Sequence, residues 1–228
     1  MARARDARSL RRRGPQREPY DYVLIVCEGS KTEPNYLSEM IRDFQISGAN
    51  VKVTGDCGSA PQTVVAEAIR LFEQDPRFDR VFCVFDRDGH AGYADALQRI
   101  ESHRLLRRDG RKKLGDAEFT AINSVPCFEY WILLHFEYTT AHMARYSDVE
   151  SRMRNHAELR DYSKGSAGLF GMLRSRMDDA LRHADMANAA SAVDIPPMRS
   201  HRSGAWEATI PDHGKPVAGA RLSVGLAV

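Results

Sequence analysis

Two short apolar runs constrain this chain more than any other feature of it. Tyr22-Val-Leu-Ile-Val-Cys27 stops at Glu28-Gly29, and Arg80-Val-Phe-Cys-Val-Phe85 stops at Asp86-Arg87-Asp88-Gly89. Neither run alternates polar with apolar residues, so each predicts a strand covered on both faces, as at the centre of a parallel sheet. Such strands need helices above and below them. Thr32-Glu33-Pro34 opens a helical pattern through Tyr36, Leu37, Met40, Ile41 and Phe44, with the proline in the first turn, where a missing N–H costs nothing. Residues 62–73 form a second helical pattern, with Val65, Ala68, Ile69 and Phe72 on one side and Ser59 as its candidate cap. Residues 51–54 and 119–124 complete four strands; 93–104 and 126–135 read as helices, and 107–115 as a basic, glycine-containing loop. The order β-α-β-α-β-α-β-α predicts an α/β fold, a mainly parallel sheet flanked by helices.

At 228 residues, 43% of them hydrophobic and 28% charged, the chain can bury the core of one domain with a helical appendage. Residues 1–18 hold seven arginines against Asp6 and Glu18, a local charge of +5 beside −3 for the remainder. We expect this tail to be disordered and to serve nucleic-acid contact or solubility. Residues 19–146 make up the α/β domain, and 147–190 a helical extension of it. In that extension Leu169, Met172, Leu173, Met177 and Leu181 recur at three- and four-residue steps, a face for the sheet domain or for a partner. From 191 to 228 prolines and glycines interrupt any periodicity, which predicts an irregular tail. No stretch approaches the roughly 20 apolar residues of a membrane span, and the basic N-terminus lacks the apolar core of a secretory signal. Cys27, Cys57, Cys83 and Cys127 form no CxxC pair and match no zinc spacing with histidine, so free thiols in a reducing cytoplasm are expected.

The chemistry concentrates where the apolar runs end. In open α/β sheets functional loops lie beyond the C-terminal strand ends, and two such ends here carry acids: Glu28, with Glu33 five residues on, and the Asp86-x-Asp88 pair. If their strands are neighbours, these carboxylates crowd together and repel, a situation that a divalent cation relieves. Oxygen ligands without histidine or cysteine point to Mg²⁺ or Mn²⁺. Single strand-end acids often only cap helices, and Glu33 gains from the helix dipole in any case. Lys31, just ahead of a helix N-terminus, suits a phosphate or is a plain surface lysine. Glu129 sits in an apolar helix beside Phe128 and Trp131, where an unpaired carboxylate is costly, so it should meet a cation or a donor. His135 reads as a packed core histidine, and Phe128, Trp131 and Phe136 as core.

The segments Leu24-Ile-Val-Cys-Glu28-Gly-Ser-Lys31-Thr-Glu33-Pro-Asn-Tyr36, Val84-Phe-Asp86-Arg-Asp88 and Pro126-Cys-Phe-Glu129-Tyr-Trp131-Ile-Leu-Leu-His135-Phe resemble the RloB family. That family is grouped with Toprim-fold proteins and occurs among bacterial restriction and phage-defence loci. The resemblance runs from about residue 8 to 185. It implies a Toprim-like fold and a Toprim-like metal site, with Glu28 as the first-strand glutamate and Asp86 and Asp88 as the acidic pair. Such enzymes cleave or join phosphodiesters with Mg²⁺, and the defence-associated ones are usually taken to be nucleases. Family members tend to finish with an Asn-Pro segment and a terminal amphipathic helix; here 197–202 is a trace of it, and the lack of helical pattern in 203–228 points to a divergent or frame-altered end.

Two functions therefore compete. One is a metal-dependent nuclease of defence systems, in which Glu28, Asp86 and Asp88 hold the metal, Glu33 or Glu129 acts as further ligand or base, and Lys31 offsets phosphate charge. The other is a non-catalytic module that senses nucleic acid or nucleotide and regulates a partner protein of the defence system through 147–190. Metal-stimulated cleavage of DNA or RNA separates them. For the arginine tail, each phosphate contact releases counterions, so deleting residues 1–18 should flatten the dependence of nucleic-acid affinity on salt. An unchanged salt slope would leave the tail only its solubility role.

Overall fold

The structure is a computed structural model that describes residues 21–46, 51–55, 57–58, 60–87, 89 and 92–194, together with the backbone of four short strands between 205 and 223. In chain order the domain comprises β1 (Val23–Cys27), α1 (Thr32–Asp43), β2 (Val51–Thr54), α2 (Pro61–Gln74), β3 (Arg80–Asp86), α3 (Tyr93–Ser102), β4 (Leu106–Asp109), β5 (Lys112–Asp116), β6 (Glu118–Ser124) and α4 (Glu129–Leu134). Then come α5 (Tyr146–Met153), α6 (Leu169–Leu173) and α7 (Met177–Asp194). Strands β2-β1-β3-β6 form one sheet in that order, with every pair parallel. This is the α/β, Toprim-like arrangement that the sequence implies.

Side chains on successive residues of the central strands go to opposite faces, and both faces are covered. Val23, Ile25, Cys27, Phe82 and Val84 join a core with Tyr36 and Met40 of α1, the whole of α4, and Leu173, Ala180 and Ala184 of the last helices. Leu24, Val26, Val81, Cys83 and Phe85 join a second core with Val64, Val65 and Ala68 of α2 and Ala96 and Ile100 of α3. The two-sided burial of β1 and β3 is the reason their sequences lack alternation. All four cysteines are free, and Cys27 and Cys83 are fully buried small hydrophobes. Trp131 is also fully buried, and its indole N–H donates to the Tyr36 hydroxyl at 3.0 Å, tying α4 to α1.

Three local readings change. Residues 107–115 are not a loop: β4 and β5 pair antiparallel. Gly110, at φ 56°, takes the first position of the two-residue turn between them, where a positive φ is required. An ion pair from Arg107 to Asp79 and a bond from the Arg108 amide to the Pro76 carbonyl (2.7 Å) pin the hairpin. Arg108, Arg111, Lys112 and Lys113 remain exposed. The first residue before α2 is Ala60 rather than a side-chain cap, and Ser59 lies outside the described residues.

The extension is helical but divided among α5, α6 and α7, and its apolar repeat does not make one buried face. Leu169 and Leu173 are buried and Met177 and Leu181 partly so, whereas Met172 is exposed. A coil around Gly165 and Gly168, both at φ near +80°, separates α5 from α6. Helix α7 presents Ala180, Ala184 and Ala187 inward, small enough for close approach, and His183 Nδ1 donates to the Leu134 carbonyl at 2.7 Å. Beyond Asp194, β7 (Ala205–Ala208) pairs with β10 (Ala220–Ser223) and β8 (Pro211–Asp212) with β9 (Lys215–Pro216), so backbone pairing occurs in a segment without sequence periodicity. Residues 1–18 lie outside the described residues. Among those described, no helix is long and apolar enough to cross a membrane.

The Tyr36–Trp131 bond joins elements distant in sequence, and losing its acceptor strands a buried N–H. Tyr36→Phe should therefore lower unfolding free energy by about 1–3 kcal/mol, measured by urea titration, with the far-UV spectrum unchanged.

Candidate functional site

Because β1 and β3 are neighbours in register, with Cys27 opposite Val84, their ends lie side by side. The ladder continues past the strands: the Glu28 amide donates to the Val84 carbonyl at 2.9 Å, and the Arg87 amide to the Ser124 carbonyl at 2.9 Å. Asp86 is thus held between the ends of β1 and β6. Its own amide donates to Glu28 Oε2 at 3.0 Å, which fixes the Glu28 carboxylate over the end of β3.

Two further carboxylates come from the helices that follow. Glu33, in the first turn of α1, is buried and turns back over Gly29. A Cβ at Gly29 would lie 2.5 Å from Glu33 Oε2, so a residue without a side chain is required there for Glu33 to take this position. Glu129, the first residue of α4, is only 1% exposed. Its Oε1 accepts from the Tyr162 hydroxyl at 3.1 Å and faces Lys164 Nζ at 3.4 Å, whereas its Oε2 is buried with no hydrogen-bond partner.

These four acids act on one another. Burial, then the charges of Glu33, Glu129 and Glu28, push the Asp86 carboxyl well above the usual range, against a lowering bond from the Phe128 amide. Burial likewise raises Glu33, with Glu129 and Glu28 adding to it and Lys164 opposing. The cation set against the group is Lys164. Burial of part of its side chain is the largest single influence and works against its charge, but Glu129, Cys127 and Asp86 together outweigh it and the net shift is upward. The Lys164 ammonium also lies 4.1 Å above the centre of the Tyr146 ring. Burial and Glu129 both raise the Tyr162 hydroxyl, which keeps it protonated as a donor.

Residues 162–165 thus form a strap across the acids. It is fastened to α1 by the Gly165 amide, which donates to Thr32 Oγ1 at 3.0 Å, and by Asn35 Nδ2, which reaches the Gly165 carbonyl at 3.4 Å. The stem of Lys31 packs on Gly165, so Lys31 stands exposed outside the strap rather than among the carboxylates. Glu28, Glu33, Asp86 and Glu129 are brought together; Asp88 lies outside the described residues. His135 is buried, with Nδ1 2.9 Å from the Trp131 carbonyl and its pKa lowered to about 4 by burial, a core residue.

Tyr162 and Lys164 are functional candidates that the sequence does not single out. The available signal was the pair of glycines, Gly165 and Gly168, which mark a turn inside a stretch read as helix. Among the described residues, no group of three or more His, Cys, Asp or Glu side chains is arranged to hold a metal ion. The donor chemistry nevertheless fits one. Glu129 Oε2 is buried without a partner, the ionised form of Asp86 is opposed by three carboxylates, and every donor is a hard oxygen.

The family model described as RloB-like protein matches residues 23–197, over half of the chain and containing every site residue named above. No curated protein and no solved structure matches the chain.

The raised carboxyls have a consequence for metal-free protein. A group whose pKa is higher folded than unfolded binds its proton more tightly in the folded state, so stability falls as pH rises from the unfolded value through the raised one. In EDTA the protein should lose stability upward from about pH 4. Asp86→Asn should flatten that slope and raise the melting temperature at pH 7.5, because unfolding free energy gains about 1.4 kcal/mol for each pKa unit relieved. Thermal melts across pH in EDTA read this directly, and an unaltered slope would mean that Asp86 carries no strain.

Proposed function

The chain belongs to the RloB-like protein family, and from that premise we propose that it is a divalent-metal-dependent nuclease of defence systems. The observation that carries this reading is the convergence of Glu28, Glu33, Asp86 and Glu129 at the end of the sheet, with one oxygen of Glu129 buried and unpartnered. Phosphodiester cleavage needs such a charge arrangement, because it is mostly a matter of placing positive charge where the phosphate gathers negative charge. In this reading Glu28, Asp86 and Asp88 hold Mg²⁺ or Mn²⁺, with Glu129 Oε2 as a further donor. A divalent ion bound there supplies Lewis-acid polarisation of the scissile phosphate.

The remaining work falls to the chain itself. Tyr162 and Lys164 hold Glu129 in place through Oε1 and leave Oε2, buried and unpartnered, as the oxygen available to a ligand. Lys164, with about half of its side chain exposed, is placed to meet a phosphate oxygen on the solvent side. Glu33, raised by burial, takes the proton of the attacking water. Lys31, outside the strap, draws the neighbouring phosphate toward the α1 N-terminus. The exposed cations of the β4–β5 hairpin, at the opposite end of the sheet, add sequence-independent attraction for the same polyanion.

A panel of plasmid, single-stranded DNA, tRNA and total RNA, each with Mg²⁺, Mn²⁺ or EDTA, tests the reading. Metal-dependent cleavage of at least one substrate is expected. Mg²⁺ should also stabilise the fold, by about 2.7 kcal/mol at a hundred times its Kd, and Asp88→Asn should abolish both effects. Lys164→Met should lower kcat by about 10²-fold while leaving calorimetric metal binding in place. Metal binding with no cleavage of any substrate would instead favour the sensing module.

A further inference from the structure

Past the ends of β3 and β6 lies a half-open cavity of about 430 Å³, lined by the residues that follow Asp86 and Ser124 and by Tyr130, the neighbour of Glu129. Its floor is apolar, made by Val125, Pro126, Tyr130 and Met143, and Arg87 stands on its wall. The outer wall is the coil from Thr140 to Ala144, and Tyr130 anchors that coil through a bond from its hydroxyl to the Thr139 carbonyl at 2.5 Å. Within the coil, the Ala141 amide is taken by Thr139 Oγ1 and the Ala144 amide by Asp148 Oδ2. The amides of Thr140, His142 and Met143 donate to no acceptor among the described residues. The space therefore combines an apolar lining with a nearby cation and a coil whose amides at 140, 142 and 143 keep their donor capacity.

We propose that this cavity receives the base of a single, unstacked nucleotide whose phosphate lies at the carboxylates. That the neighbouring group is a phosphate rests on the nuclease reading. Arg87 directly follows Asp86, and Pro126 and Tyr130 flank Glu129 in the chain, so the cavity and the acids are built on the same two chain segments. A group bound at the acids as a phosphodiester carries its base one sugar away. A base has an apolar face for Pro126, Tyr130 and Met143 and a polar edge for the amides. Pockets of this size and lining are the usual form of small-molecule sites. A base inside a duplex cannot enter such a cavity without leaving its stack, so the substrate is single-stranded or is opened locally. Ribo- and deoxyribonucleotides share this chemistry.

The test uses nucleosides, which carry no phosphate, so that it is independent of the acids and of metal. The four ribonucleosides and four deoxyribonucleosides are titrated into the full chain in EDTA by ligand-observed NMR, with ribose and deoxyribose as base-free controls. At least one nucleoside should bind ten times more tightly than its sugar alone, and the stronger series identifies the sugar type preferred. Thr140→Trp and Ala141→Trp, both at exposed positions in the coil, should each erase that margin with the melting temperature unchanged. No margin in the wild type, or a margin that survives both substitutions, overturns the proposal. Cleavage is scored separately: nucleoside binding without cleavage removes the nuclease reading and leaves the base site, and cleavage without nucleoside binding does the reverse.

Discussion

A ladder of backbone hydrogen bonds between two strands buried on both faces, β1 and β3, holds Glu28 and Asp86 next to each other against their mutual repulsion. Neither strand can slip by one residue, because a one-residue slip exchanges the faces of every side chain. Here each face has its own closed core, so the register is fixed twice. The position of the carboxylates is consequently set by packing far from them. Glu33 and Glu129 enter in the first turns of helices anchored by buried apolar residues, Tyr36, Leu37, Met40 and Ile41 in α1 and residues 130–134 in α4, so they too are placed by hydrophobic burial rather than by attraction to one another.

The electrostatics follow from that placement. Four acids converge, and burial adds to their repulsion because it withdraws solvent screening. One lysine and one tyrosine, both from the strap, answer this through a single oxygen of Glu129. Without Lys164 the buried Glu129 would keep only the Tyr162 hydroxyl as a partner, which makes Lys164 a positioning residue for Glu129 as well as a candidate phosphate contact. Coulomb attraction across 3.4 Å is worth only a few kcal/mol at the effective dielectric of a partly exposed site, and it opposes repulsion from several directions. The site remains acidic in balance.

Much of this was legible in the sequence, and the reason is local. Strands covered on both faces leave unbroken apolar runs, and the acids that end those runs are conspicuous. The parallel sheet follows from that pattern, and the need of Glu129 for a donor from its place in an apolar helix; that Glu28 meets Asp86 depended on β1 and β3 being neighbours, which local pattern does not encode. The hairpin of residues 106–116 was less visible because its side chains are mostly charged, so no apolar alternation marks its strands; Asp109-Gly110 was its one turn signal. The strap was illegible for a different reason. Its contacts with Thr32 and Asn35 span more than 125 residues of chain, and periodicity carries no information about partners so distant. Met172 shows the same limit, since a three- and four-residue repeat across separate short helices does not make one buried face.

The position of the strap in the chain has a consequence for synthesis. All four carboxylates belong to the portion of the chain up to Glu129, whereas the groups that answer Glu129 arrive only with Tyr162 and Lys164. A nascent chain emerging from the ribosome, or a fragment ending before residue 162, therefore holds the acids without their counter-charge. Such a species gains its native electrostatic balance only when the last third of the chain docks.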